Sequence, residues 1–245
     1  MPGGMNMTRS IGAALVFLLA AGCQTVGHGT LYTEPSIPRG TIKIQKVAIV
    51  PNRLPANLTD PEKWRVFNWK IAAAEFRKHG YDVVDYDTSV RSFEKSGLPV
   101  EDTHSSRDKY ADLAQALAVD AIIVPYYGTQ FNSKNYILVN SFGYDGIATF
   151  QVYLAERNDF VSRVDAFGES SFPTGYLTLA GLVLSIGAPL AGVPSLALLG
   201  LLAIIGEIGY DVAMMSKAPD AYWEQAFDAA IRQGLQPFFA AFPRS

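Results

Sequence analysis

Asp82, Asp85 and Asp87 are the closest grouping of side chains able to do chemistry in this sequence. If the segment YDVVDYD, Tyr81 to Asp87, is a strand, Asp85 and Asp87 share a face, and paired carboxylates of that kind hold a cation or share a proton. Solvated aspartates at a strand end give the same pattern, and that reading is preferred. His104-Ser105-Ser106 puts a histidine beside two hydroxyls, but adjacency in sequence is not the geometry of a nucleophile and its base. Ser106 is better used as the N-cap of a following helix. His79, beside Gly80, reads as the last residue of a helix, where a cation meets the negative end of the dipole. His28 sits in a polar stretch and reads as solvated. No Walker loop, G-x-G-x-x-G, G-x-S-x-G or H-E-x-x-H occurs. The expectation is a protein that is not an enzyme, with no cofactor and no metal.

Composition narrows the remaining classes. The chain of 245 residues is 49% hydrophobic and 18% charged, below the globular norm of ~25% charged. That excludes a disordered chain and implies apolar sequence spent on something besides a core. With 20 basic and 23 acidic residues the net charge is -3, so no basic surplus exists to neutralise a phosphate backbone, and nucleic acid is not an expected partner. One cysteine excludes an internal disulfide framework and a cysteine-based zinc cage.

That cysteine stands at a telling place. Thr8-Arg9 precede an uncharged apolar run, Ile11 to Ala21, that ends in Gly22-Cys23, the layout of a secretory signal. The run is too short for a bilayer, which takes ~20 helical residues. LLAAGC resembles a bacterial lipoprotein lipobox, with Ala20 where that family more often has leucine. The resemblance implies residues 1–22 as a signal peptide and Cys23 as the acylated N-terminus. Each buried CH₂ contributes ~0.8 kcal/mol, so two or three chains make attachment durable. Signal removal takes away Arg9 alone among charged residues, leaving 19 basic against 23 acidic and a net charge of -4. Gln24 rather than Asp after the cysteine implies, by the same resemblance, the outer membrane, facing the periplasm. Residues 23–41, rich in Gly, Pro, Ser and Thr, read as a lipidated tether reaching ~60 Å when extended.

The folded part is expected over 42–170 as an α/β domain. IKIQKVAIVP, Ile42 to Pro51, starts alternating and turns continuously apolar, as a central strand does. Asp60-Pro61 opens a helix with Trp64, Phe67, Ile71 and Ala74 on one stripe, stopped at His79-Gly80. Tyr81 to Asp87 is the second strand, and a polar loop follows. Tyr110, Leu113 and Leu117 mark the next helix, and DAIIVPYYG, Asp120 to Gly128, the third strand. Such β-α-β-α-β alternation implies parallel strands with right-handed crossovers. YILVNSF, YDGIATFQVYLAE and DFVSRVDAFGESSF then read as an antiparallel meander, its last pair turned at Arg157-Asn158. Residues 217–245 supply a C-terminal helix from Pro219, stopped by Pro237. The fold class is therefore α/β with a mixed sheet, an apolar hairpin and a C-terminal helix.

Ser170 to Gly206 runs 37 residues without a charge. Pro189 and Pro194 divide it, so residues 171–216 read as a helical hairpin turned at PLAGVP. The first arm, Tyr176 to Ala188, would be only ~20 Å long. Glu207 and Asp211 would enter the last third of the second, so full spanning is disfavoured. Ala197, Gly200, Ala203 and Gly206 recur every three residues as a smooth stripe, and Gly181 and Ser185 pair on the first arm. Such surfaces let helices approach closely. An oligomer contact, a membrane contact and a buried core hairpin remain open readings. Tyr126, Tyr127, Phe131, Tyr136, Phe142 and Tyr144 serve a meander core or an interaction patch. Trp64 and Trp69 are five apart and cannot share the buried stripe.

KVAIVP, HGYDVVDYD, LAQALAVDAIIVPYYG, the following strand pair and the terminal helix resemble the α/β domain of envelope lipoproteins. That group includes the curli-secretion lipoprotein, the penicillin-binding-protein activator lipoproteins and the N-terminal domain of the Tol-system propeller protein. The resemblance covers Lys43 to Ser170 plus the last helix, rests on hydrophobic pattern, and carries no catalytic residues. It implies a lipid-anchored scaffold that assembles or docks in the periplasm, and the apolar hairpin adds the expectation of a structural component that forms a homo-oligomer at the membrane. The alternative it leaves is a monomeric docking protein that regulates an envelope enzyme or transport complex.

Overall fold

The computed structural model describes residues 24–34, 42–51, 54, 60–98, 107–136, 139–174, 178, 181–182, 184–186, 195–216 and 219–243. Cys23 and the signal segment lie outside the described residues, as do His104, Ser105 and Ser106. The elements are β1 (Gln24–Thr33), β2 (Lys46–Ile49), α1 (Pro61–Lys78), β3 (Asp82–Val83), α2 (Tyr86–Ser96), α3 (Arg107–Leu117), β4 (Ala121–Tyr136), β5 (Val139–Leu154), β6 (Asp159–Thr174), α4 (Ser195–Ser216), α5 (Pro219–Gly234) and α6 (Gln236–Ala241). Two compact units divide them. One holds Val26–Gln130, Asp145–Glu169 and the residues from Trp223 on; the other holds Phe131–Tyr144, Ser170–Tyr222 and the start of β1.

The expected α/β fold is present, with a six-stranded mixed sheet ordered β1-β6-β5-β4-β2-β3. β2 lies parallel to both neighbours, Val47 beside Val83 on β3 and beside Ala121 on β4. Central parallel strands are buried on both faces, and Val47, Ala48, Ile49, Ala121, Ile122 and Ile123 are all within 1% of full burial. On one face Ala48, Val50, Ile122 and Val124 pack with Phe93 of α2 and with Tyr110 and Leu113 of α3. Asp120, just before β4, accepts the amides of Gln45 and Lys46 at 2.8 Å each and so fixes the β2–β4 register.

α1 begins as its sequence requires. The Asp60 carboxylate accepts the Lys63 amide at 3.2 Å, Pro61 needs no donor in the first turn, and Gly80, at φ 89°, ends the helix. Its buried face differs from the expected stripe: Ala74 is exposed, while Asn68 and Glu75 are buried. Glu75 is tolerated because Arg232 of α5 donates to it at 2.7 Å and Lys78 reaches it at 3.4 Å. Trp64 is wholly buried against Phe67, Trp223 and Phe227. Trp69 is half-buried instead, set edgewise on Tyr86 of α2 with Arg77 over its ring.

Five expectations are corrected. The second strand ends at Val83, and Asp85 is the N-cap of α2, its carboxylate accepting the Thr88 amide at 2.9 Å. Only Ser89 and Phe93 of α2 are buried, too few for an apolar period to show in the sequence. The meander does not break at Gly143: β4 runs to Tyr136 and β5 starts at Val139, so the two form one long hairpin, necessarily antiparallel across a two-residue link. β6 continues to Thr174, so residues 171–174 belong to the sheet and not to the helical hairpin. Pro237 does not stop the chain's helices; it occupies the first turn of α6, where a missing amide costs nothing.

The fifth correction is the tether, whose residues 24–33 are the edge strand β1. Glu34 donates to the Val161 carbonyl at 3.1 Å and His28 tilts over Phe167 at 5.1 Å, an antiparallel register on β6. The glycines that suggest a tether are packing residues. A Cβ on Gly27 would stand 2.5 Å from the Ala229 carbonyl oxygen, and one on Gly29 would strike Gly234. The Gly27 amide also donates to the Gln233 side chain at 2.9 Å.

Gly29→Ala is therefore expected to lower the melting temperature, with an overpacking cost of about 1–3 kcal/mol. A solvated tether would leave thermal melts unchanged. Arg232→Met should cost up to ~3 kcal/mol by leaving the Glu75 carboxylate buried with Lys78 alone, and Glu75→Leu in the same chain should restore most of it. Chemical denaturation of the single and double variants measures both.

Candidate membrane and assembly interface

α4 is a 22-residue helix that begins in the uncharged stretch and runs ten residues past it, and the described residues of the first arm, between positions 178 and 186, are helical. The two arms touch where both sequences carry small residues. A Cβ on Gly200 would lie 2.5 Å from the Gly181 carbonyl oxygen, 2.8 Å from the Ser185 amide and against the Ser185 hydroxyl. A Cβ on Gly181 would meet the Gly200 carbonyl at 2.5 Å and Ile204 at 2.6 Å. Gly181, Ser185 and Gly200 thus come together, and they close the hairpin on itself.

The other members of the expected stripe do not follow. Ala203 is half-buried, Gly206 has nothing within 4 Å of where its Cβ would be, and the Ala197 side chain lies outside the described set. Helix geometry explains the split. A three-residue step falls short of a full turn by about 60°, so Gly206 stands roughly 120° around α4 from Gly200. Gly209, like Gly206, has open space before it.

The remaining arc of α4 is aliphatic and bare. Leu198, Leu199, Leu201, Leu202, Ile205 and Ile208 are all more than half exposed, and Ile186 of the first arm is 63% exposed. Covering each would gain on the order of 1 kcal/mol. No described helix is long and apolar enough to cross a membrane.

Beside this hairpin, in the same unit, aromatic rings gather at the β4–β5 tip. Phe131 stacks on Phe142 at 6.4 Å and meets Tyr144 edgewise at 5.7 Å, and Tyr144 lies 6.3 Å from Tyr222. Phe131 is 57% exposed. Gly143 lets the strands close there, since a Cβ on it would sit 2.6 Å from the Ser171 Cα. The aromatic run therefore divides. Tyr127 is core, against Phe150 and Phe227, and burial pushes its phenol far above the usual range. Tyr126 is half-buried, and the Tyr136 side chain lies outside the described set.

The chemically capable residues take structural posts. Asp82 is exposed on β3, Asp87 is in the first turn of α2, and the Asp85 carboxyl is held below its usual range by the Thr88 hydroxyl and amide. His79 caps α1 and stacks on Phe239 at 3.9 Å. Among the described residues no three His, Cys, Asp or Glu side chains gather as a metal site.

No family model matches this sequence, and no curated protein matches it. Solved structures with a similar fold include lipoprotein GNA1162 from Neisseria meningitidis, 18% identical over 51% of this chain and 83% of that one, with a TM-score of 0.36. A PelC dodecamer from Paraburkholderia phytofirmans is 12% identical over 58% of this chain and 80% of that one, at a TM-score of 0.32. LpoB of E. coli is 11% identical over 55% of this chain and 60% of that one, at 0.35. At such scores the likenesses carry no argument about function.

The hairpin makes a contrast that can be measured. Gly200→Ala should destabilise the arm-to-arm packing, whereas Gly206→Ala should raise helix stability by about 0.5–1 kcal/mol. Helical ellipticity of the two variants in mild detergent, followed against temperature, distinguishes them; equal melts would mean that the arms do not meet at Gly200.

Proposed function

We propose that this chain is a lipid-anchored protein of the bacterial cell envelope, acylated at Cys23 and held at the outer membrane facing the periplasm. It acts as a structural component of an assembly and not as an enzyme. The observation that carries this reading is the bare aliphatic arc of α4, six large side chains each more than half exposed, since contiguous apolar surface of this kind marks interaction sites. Gly206 and Gly209 lie open beside Leu202 and Ile205. A helical glycine costs about 0.5–1 kcal/mol against alanine, a cost offset where a second helix comes close. Copies of the chain meet through this part of the hairpin.

A second reading, the monomeric docking regulator, has its own support. A groove of about 350 Å³ opens between Tyr32, Glu34, Gln151, Phe160 and Arg163, and it mixes aromatic and charged groups in the way protein contacts do.

Two measurements test the proposal. Intact-mass analysis of the mature wild type should show acyl groups, and Cys23→Ala should abolish both that mass and partition into detergent. Light scattering in mild detergent should give a multimer that Gly206→Leu with Gly209→Leu dissociates, with little change in the melt of the α/β unit. A monomeric wild type would remove the assembly and leave the docking reading.

A further inference from the structure

We propose that one end of the sheet rests directly on the lipid surface, with the acyl anchor, the aromatic β4–β5 tip and the apolar hairpin leaving it together. The proposal deepens the anchoring reading and rests on acylation at Cys23. It starts from the position of β1. The sequence suggests eighteen residues or more of slack between the cysteine and the fold, but β1 starts at Gln24, so Cys23 is one residue, roughly 3.5 Å, from the sheet. Acyl chains on that residue hold the start of β1 at the bilayer.

Strand register decides what else is there. β1 runs antiparallel to β6, with Glu34 bonded to Val161 and His28 over Phe167. Continued, that register sets the start of β1 alongside Ser170 and Ser171. Those residues are the neighbours of Gly143 on β5, and the stretch of β4 and β5 there carries the stacked Phe131 and Phe142. β6 ends close by at Thr174, and the uncharged stretch passes from there into the helical hairpin. Every one of these features falls in the second compact unit.

Their chemistry suits the same occupant. Half-exposed aromatic rings favour the headgroup level. No described helix is long and apolar enough to cross a membrane, and the exposed aliphatic arc of α4 suits insertion into one leaflet. A lipid anchor and a second apolar attachment at one place give the two signals that durable membrane binding requires. Gly206 and Gly209, with Leu202, remain available to a second copy within that leaflet, whereas Phe131 and the side of α4 that carries Leu201, Ile205 and Ile208 face lipid.

The test uses the full acylated chain, whose only native cysteine is blocked by its lipid. Single cysteines replace Phe131, Ile205 or Arg157, the last in the turn at the other end of β5 and β6. Each carries an environment-sensitive fluorophore in phosphatidylethanolamine–phosphatidylglycerol vesicles, with and without nitroxide-labelled lipid. Phe131→Cys and Ile205→Cys should be quenched roughly twofold or more, and Arg157→Cys should not. All three side chains are exposed, so labelling replaces no core packing, and Leu201→Cys, also exposed, serves if Ile205→Cys does not accumulate. Protein that floats with vesicles but is quenched no more at 131 and 205 than at 157 overturns this proposal and leaves the anchoring reading standing. Protein that neither carries acyl mass nor floats overturns both.

Discussion

Helix α5 lies on a sheet face from which side chains have been removed, and the fold is arranged around that approach. Gly27 and Gly29 on β1, Gly146 on β5 and Gly168 on β6 each present bare backbone to α5; a Cβ on any of them would fall within 3 Å of Ala226, Ala229, Ala230 or Gly234. The helix answers with alanines and a terminal glycine on the contacting side. Dispersion forces fall steeply with distance, so this closeness replaces the bulk that larger side chains would supply. It also fixes α5 well enough to bring Trp223 and Phe227 against Trp64 and Arg232 against the buried Glu75.

The edge strand depends on the same contact. β1 is uncharged and glycine-rich, with little side-chain bulk of its own to keep it on the sheet. Packing under α5 and the Gly27–Gln233 hydrogen bond hold it there. Gln233 has a further effect, since it occupies an edge amide that would otherwise invite another strand.

Legibility in the sequence followed how burial is achieved. β2 and β4, buried on both faces, write continuous apolar runs, and α1 announces itself through Asp60-Pro61 and His79-Gly80. β1 was hidden because its glycines report a neighbour distant in sequence, and the same residues describe a flexible linker. α2 was hidden because it buries little, and the aspartate read as a strand residue is its cap. In the hairpin the small residues were visible but their partners were not. A three-residue repeat winds around a helix, so Gly200 and Gly206 look alike in sequence and face different surroundings. The exposure of the leucines and isoleucines between those small residues, the main feature of α4, is not written in the sequence. The aromatic tip was visible as composition, but which rings were core depended on strand pairing.

The division into two units also accounts for the composition that first set this chain apart. All 20 basic and 23 acidic residues lie outside the 37 positions from Ser170 to Gly206. The unit built on β2, β4 and α1 is ordinary in this respect, with its ion pairs, Lys63 with Glu224 and Arg107 with Asp159 among them, at its surface. The shortage of charge belongs to the hairpin. A core helix would spend its apolar residues inward, toward its partner arm, and keep a polar side for water. α4 does the reverse: glycine and half-buried small or branched residues face the first arm, while six large aliphatic side chains face away. Such a helix is inside out for water. Surface of that kind is stable only against apolar surroundings.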